Sequence, residues 1–173
     1  GISHGNAINQ GLKFVESDVV CILDSDFFFL SENINQYAMD KISQGYLAVG
    51  AEWNDGADTK KFIDINPSLY KDIPCCFGSF YKTSLAKSES WIVTLPEVHA
   101  NLSTGFVEVG YRIRKKILED KIKTASWKGN SSHYGNVMYT DEFDNEIGFH
   151  YVAGSHRRWN DSSYKEIEKL IGV

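Results

Sequence analysis

The sequence predicts a layered α/β fold, a sheet with flanking helices. Two observations support this class. Helical and strand-like segments alternate over residues 4–49, which is typical of βαβ units. The apolar run VVCIL at 19–23 shows no polar alternation, which favours a parallel strand buried on both faces. A chain of 173 residues has the length of one domain, so we expect a single domain over 1–173.

The first elements follow from apolar spacing. Ile8, Leu12 and Val15 recur at i, i+4 and i+7, which predicts a helix that Ser3 or Asn6 would cap. The strand at 19–23 comes next. Apolar residues then recur at helical spacing over 34–42, and Gly45 would end this second helix before a short strand at 46–49.

The second half of the chain mixes strands and helices less regularly. The expected elements are a strand at 75–81 with a possible bulge at Gly78, a helix from Thr104 to Ile117, a strand at 121–127, two strands at 136–140 and 147–152 joined through Asp144 and Asn145, and a last helix that a capping box at Ser163 and Glu166 would begin.

Composition excludes several classes of protein. The net charge of −5 argues against a nonspecific nucleic-acid binder, and we expect no nucleic-acid partner. No apolar run approaches about 18 residues, so we expect no transmembrane segment. Three cysteines, Cys21, Cys75 and Cys76, are too few for a disulfide framework, and we expect reduced core thiols.

The strongest chemical signal is Asp24-Ser25-Asp26, which directly follows the buried strand. Ligands in open α/β sheets bind beyond the carboxyl ends of the strands. Two carboxylates one residue apart can share a divalent cation, and hard oxygen ligands suit Mg²⁺ or Mn²⁺. The alternative is a loop that carries two solvated acids.

Residues 3–12 (SHGNAINQGL) and 18–26 (DVVCILDSD) resemble the middle of a family 2-type glycosyltransferase with the GT-A fold. In that family a helix with Ala-x-Asn-x-Gly precedes the strand that ends in the Asp-x-Asp motif. The resemblance implies a GT-A-like layered sheet that lacks the first βα units, and hence an N-terminally truncated domain. It also implies a divalent metal (Mn²⁺ or Mg²⁺), a nucleotide-diphosphate sugar donor, and a carbohydrate or other hydroxyl acceptor.

The same resemblance implies a catalytic base near the start of a later helix. We assign this role to Glu108, which would take the proton of the acceptor hydroxyl in an inverting reaction. The alternative is a surface pair between Glu108 and Arg112 at i, i+4. Glu119 and Asp120 form an adjacent acidic pair and are the second candidates.

A late histidine completes the metal site in many GT-A enzymes, and His150 is our candidate beside Asp24 and Asp26; His156 is a weaker one. Basic residues that follow would contact the donor diphosphate, since guanidinium groups bind phosphate bidentately. The predicted donor-binding residues are His4, Gly5, Asn9, Ser25, Arg157 and Arg158.

Two other functions remain open from the sequence. A nucleotidyltransferase-like enzyme would also place metal-binding acids on an α/β sheet. A non-catalytic carbohydrate-binding fragment would keep the fold without metal-dependent donor binding. In each case we expect a cytoplasmic protein, with the membrane surface as a second location.

Overall fold

A seven-stranded mixed sheet forms the centre of the computed structural model, which describes residues 4–52, 73–92, 109–131 and 137–150. The strand order is β1-β4-β3-β5-β6-β7-β2. The strands are β1 (Val19–Leu23), β2 (Phe27–Phe29), β3 (Ala48–Glu52), β4 (Pro74–Lys82), β5 (Thr124–Ser131), β6 (Val137–Thr140) and β7 (Glu146–His150).

Four strands of this sheet run in the same direction. β1 and β3 both pair antiparallel with β4, β3 pairs parallel with β5, and β5 and β7 both pair antiparallel with β6. The carboxyl ends of β1, β3, β5 and β7 therefore lie along one edge, which we call the carboxyl edge. This edge is where the sequence pattern leads us to expect a ligand.

The sheet curves back on itself. β1 and β2 are the two outer strands of the order, yet only Asp24, Ser25 and Asp26 separate them in the chain. A link of three residues spans at most about 13 Å between the strand ends, so the two outer strands must approach each other. The curvature brings the end of β1 near β7, which pairs with β2.

Four helices lie in the described residues: α1 (His4–Leu12), α2 (Ile34–Ser43), α3 (Thr83–Ala86) and α4 (Tyr111–Glu119). The predicted first and second helices are confirmed, but Asn6 lies within α1 and does not cap it. Gly45 follows α2 with a φ of 89°. Helix α4 begins after Gly110, later than predicted, and the proposed start at Thr104 lies outside the described residues. None of the described helices combines the length and apolar character needed to cross a membrane.

The predicted GT-A-like layered α/β sheet with flanking helices is wrong. The described sheet is nearly closed and mostly antiparallel, with β3 and β5 as its one parallel pair, and helices are few. The apolar run at 19–23 forms an outer strand, and the side chains of Cys21 and Leu23 are exposed. An unbroken apolar run predicts a strand, but it does not determine the direction of the neighbouring strand.

The strands predicted in the second half are confirmed, with shifted ends. β4 contains Gly78, and the register of its pairing with β3 shifts between Pro74 and Ser79, a stretch that includes the predicted bulge position. Gly78 itself pairs with Leu23 of β1 in regular register. β6 and β7 form the predicted hairpin, and Asp144 in its turn has a φ of 63°.

Cys75 is buried as expected, whereas the prediction of a buried Cys21 is wrong. The helix predicted from Ser163 lies outside the described residues.

Most of the described core lies in two clusters, because consecutive strand residues point to opposite faces, and a third, small cluster surrounds Phe149. Val49 and Phe80 pack in the cluster that α2 covers, whereas Ala48 and Tyr81 pack in the cluster that α1 and α4 cover. Burying one large apolar side chain stabilises the fold by about 1.5–3 kcal/mol. These clusters fix the strands whose ends carry the polar residues of the carboxyl edge.

Candidate metal centre

Three side chains meet where the two outer strands approach each other. Asp24 follows β1, Asp26 precedes β2, and His150 ends β7. Phe27 pairs with His150 across β2 and β7, so the residue before Phe27 necessarily lies beside the histidine. One possible ligand atom from each of Asp24, Asp26 and His150 lies within 4.8 Å of the other two. The structure thus brings together the three predicted metal ligands.

The turn between the outer strands orients the two aspartates. The Phe27 amide donates a hydrogen bond to the Asp24 carbonyl at 3.1 Å, which closes a tight turn over Ser25 and Asp26. The Phe27 ring is buried against two glycines, since a Cβ atom would lie 2.5 Å from the ring at Gly78 and 2.7 Å at Gly148. This packing is hard to predict from the sequence, because the only sign of it is that residues 78 and 148 are glycines.

Asp26 and His150 form the buried part of the cluster. Asp26 Oδ1 lies 3.3 Å from His150 Nε2, and the two side chains are 10% and 12% exposed. Burial alone would raise the pKa of Asp26, but the hydrogen bond and the charge of His150 outweigh it, so the pKa lies below its usual value. A carboxyl group with a lowered pKa is ionised at neutral pH, and a cation bound here would take the place of the His150 proton beside it.

Asp24 has a different environment. Its Oδ1 lies 3.1 Å from His4 Nε2, and the side chains of Asp24 and His4 are 24% and 45% exposed. Burial raises the pKa of Asp24, the neighbouring Asp26 carboxylate adds to the increase, and His4 and His150 oppose it. Two acids whose pKa values move in opposite directions, on a partly buried surface, are typical of functional sites.

The donor set suits a divalent cation. Ligand atoms bound at about 2.1 Å to one ion lie at most about 4.2 Å apart, so a spread within 4.8 Å needs only a small contraction. Two carboxylates and one imidazole fit Mn²⁺ better than Mg²⁺, because Mg²⁺ prefers oxygen ligands alone. Other metals that accept imidazole also remain compatible with these residues.

The other predicted site residues are spread along the chain. Ser25 is exposed in the turn between the two aspartates. Gly5 and Asn9 of α1 pack against 90–92: the Trp91 amide donates to Asn9 Oδ1 at 3.0 Å, and Asn9 Nδ2 donates to Ser90 Oγ at 3.1 Å. The predicted residues Glu108, Arg157 and Arg158, and the weaker candidate His156, lie outside the described residues.

The second candidates for the base lie on the surface at the end of α4. Glu119 is 3.7 Å from Lys115, and Asp120 accepts a hydrogen bond from Lys116 at 2.7 Å. Glu119 and Asp120 side chains are 64% and 52% exposed. Pairs of this kind are ordinary features of an exposed helix.

One acid at the carboxyl edge was not singled out from the sequence. Glu52 ends β3 and is buried, and its Oε1 accepts a hydrogen bond from the Gly129 amide at 3.2 Å. The contact extends the link between β3 and β5 beyond their last paired residues. The signal that indicates it is an acid at the end of an apolar strand, the same signal that pointed to Asp24.

Comparison with protein-family models, with curated proteins and with solved structures finds no match for this chain.

Proposed function

We propose that this chain is a divalent-metal-dependent glycosyltransferase, which moves a sugar from a nucleotide-diphosphate sugar to an acceptor hydroxyl with inversion at the anomeric carbon. The observation that carries the proposal is the cluster of Asp24, Asp26 and His150 at the carboxyl edge of the sheet. The resemblance of residues 3–26 to family 2-type glycosyltransferases supports the same function, since two of the three clustered residues belong to that stretch.

Asp24, Asp26 and His150 would hold the cation, which when bound neutralises the donor diphosphate and so assists its departure. Mn²⁺ is the metal that we propose, with Mg²⁺ second. In the transfer the acceptor oxygen forms a bond to the anomeric carbon while the bond from that carbon to the diphosphate oxygen breaks. Glu108 takes the acceptor proton, and Arg157 and Arg158 stabilise the charge on the departing diphosphate.

The first experiment tests the cluster. The chain is incubated with nucleotide-diphosphate sugars and a panel of acceptors, with Mn²⁺ or with chelator, and release of nucleoside diphosphate is measured. We expect turnover in the presence of Mn²⁺ and none with chelator. Asp26→Asn should lower the rate of turnover by at least about 100-fold. Asp144→Asn is the matched control: it removes one acidic charge at an exposed residue whose positive φ asparagine accepts. Turnover with chelator, or full activity of Asp26→Asn, would overturn the proposal.

The second experiment tests the base. Glu108→Gln should lower kcat by about 10²–10⁴-fold and leave Mn²⁺ and donor binding unchanged, because the amide cannot take a proton. Glu119→Gln is the control, since Glu119 lies on the exposed end of α4. Equal loss of kcat in both variants, or none in Glu108→Gln, would remove Glu108 from the mechanism.

The same assays separate the proposed function from its rivals. Turnover of nucleoside triphosphates with release of pyrophosphate would instead indicate a nucleotidyltransferase. Sugar binding that needs no metal and gives no turnover would indicate a carbohydrate-binding module. A cytoplasmic location, or one at the membrane surface, is also part of the proposal, and fractionation of cells that express the chain tests it.

A further inference from the structure

The clearest contact that the proposed mechanism leaves unused joins His4 to Asp24. His4 is the first residue of α1, and its Nε2 lies 3.1 Å from Asp24 Oδ1. We infer that His4 is a positioning residue, which donates a hydrogen bond to one oxygen of Asp24 and so holds this carboxylate in the orientation that cation binding needs. The inference rests on the proposed metal site and adds a fourth side chain to it.

The geometry separates His4 from the three ligands. Asp24, Asp26 and His150 offer ligand atoms within 4.8 Å of one another, and among the described residues that group does not include His4. His4 therefore reaches the cluster through Asp24. A carboxylate has two oxygens, so a contact to Oδ1 leaves the other oxygen available for a cation.

The attachment of α1 to the fold makes this role possible. Gly5 packs against the Trp91 backbone, and Asn9 forms hydrogen bonds with the Ser90 hydroxyl and the Trp91 amide. Helix α1 is therefore fixed at two points along its length. The His4 backbone is thereby held beside the end of β1. A hydrogen bond from a residue with a fixed backbone orients its partner at a lower entropy cost than one from a free loop.

The test measures metal affinity in the absence of any substrate. Mn²⁺ is titrated into the full chain, and free Mn²⁺ is followed by electron paramagnetic resonance. Residues that orient a metal ligand typically account for a 10–100-fold change in affinity, and we expect a loss in this range, about 10–100-fold, for His4→Ala and His4→Leu. His4→Gln should recover most of the affinity, because its amide N–H can still donate. Lys13→Ala, at an exposed residue just beyond the same helix, is the control and should bind Mn²⁺ as the parent does.

The outcomes distinguish the inference from the proposed function. Mn²⁺ binding by the parent chain with unchanged affinity in His4→Ala and His4→Leu would overturn the positioning role and leave the metal site intact. An equal loss in His4→Gln would also overturn it, since hydrogen-bond donation would not then be the cause. Absence of Mn²⁺ binding in the parent chain would overturn the metal site itself. Thermal unfolding of the metal-free variants checks folding, and His4→Leu, with a volume closer to that of histidine, serves if His4→Ala does not fold.

Discussion

Gly5 packs so closely on Trp91 that a Cβ atom at position 5 would lie 2.3 Å from the Trp91 carbonyl oxygen. The next atoms are also backbone atoms, with the Trp91 carbonyl carbon at 2.8 Å and the Ile92 nitrogen at 3.2 Å, so no side-chain movement could relieve the clash. Trp91 is itself buried, and its indole donates a hydrogen bond to the Ala86 carbonyl at 2.8 Å. The start of α1 can therefore lie this close to Trp91 only because residue 5 has no side chain.

Gly5→Ala should destabilise the protein by about 1–3 kcal/mol, because the added methyl group forces α1 away from Trp91. It should also weaken Mn²⁺ binding, since the shift moves His4 from Asp24. Gly11→Ala is a matched control on the same helix, where a Cβ meets nothing within 4 Å. That control should stabilise the protein by about 0.5–1 kcal/mol, through the lower backbone entropy of the unfolded chain. Urea unfolding and Mn²⁺ titration check both variants, and equal stability of the two would contradict the packing argument.

Asn9 connects α1 to the same segment through both ends of its amide. Asn9→Ala should cost about 1–3 kcal/mol, because the half-buried Trp91 amide and Ser90 hydroxyl lose their partner. Asn9→Asp keeps the acceptor for the Trp91 amide and should cost less. Gln10→Ala, at an exposed position, should change stability by only a few tenths of a kcal/mol. If Asn9→Ala kept full stability while donor binding fell, the residue would be a donor contact and not a packing residue.

The sequence was sufficient to predict most elements and the residues of the cluster, but neither β2 nor α3, which are only three and four residues long, nor the architecture. Spacing of apolar residues located α1 and α2, and a polar pair after an apolar run located Asp24 and Asp26, because these are local properties of the chain. The pairing of β2 with β7 is a contact between residues more than 100 positions apart, so no local pattern indicates it. The same holds for the contact of the Phe27 ring with Gly78 and Gly148, two residues that are distant from Phe27 along the chain.

The contact between Phe27 and Gly148 can be tested as a pair. Gly148→Ala should cost about 1–3 kcal/mol, since its methyl group would lie 2.7 Å from the ring carbon Cζ of Phe27. Phe27→Leu removes that part of the ring and should destabilise the protein on its own, because Phe27 is only 4% exposed. The double variant should lose less unfolding free energy than the two single variants lose together, by about 0.5–3 kcal/mol. Urea unfolding of the four proteins gives this coupling, and simple additivity would contradict it.

Glu142, in the turn between β6 and β7, contacts Tyr37 and Lys41 of α2 through a carboxylate whose charge depends on pH. Lys41 Nζ donates to Glu142 Oε1 at 2.5 Å, and the Tyr37 hydroxyl donates to the other carboxylate oxygen. Burial would raise the pKa of Glu142, but the hydrogen bonds from Lys41 and Tyr37 outweigh it and hold the pKa below its usual value. Burial and the nearby Glu142 carboxylate raise the pKa of Tyr37, so its hydroxyl keeps its proton and continues to donate.

Glu142→Gln should therefore destabilise the protein at pH 7, and the difference should vanish in acid. An acid with a lowered folded pKa stabilises the fold above its unfolded pKa, about 4.3, and loses this contribution as the pH falls through the folded pKa. The Glu142 side chain is 42% exposed, so solvent screening limits the effect to about 0.2–1 kcal/mol at pH 7. Urea midpoints at pH 7, 5 and 3 measure it. Glu146→Gln, at an exposed position of the same hairpin, should follow the parent protein throughout. The opposite result is that Glu142→Gln remains equally less stable than the parent protein at pH 3. That result would show that the Glu142 side chain acts by its packing and not by its charge.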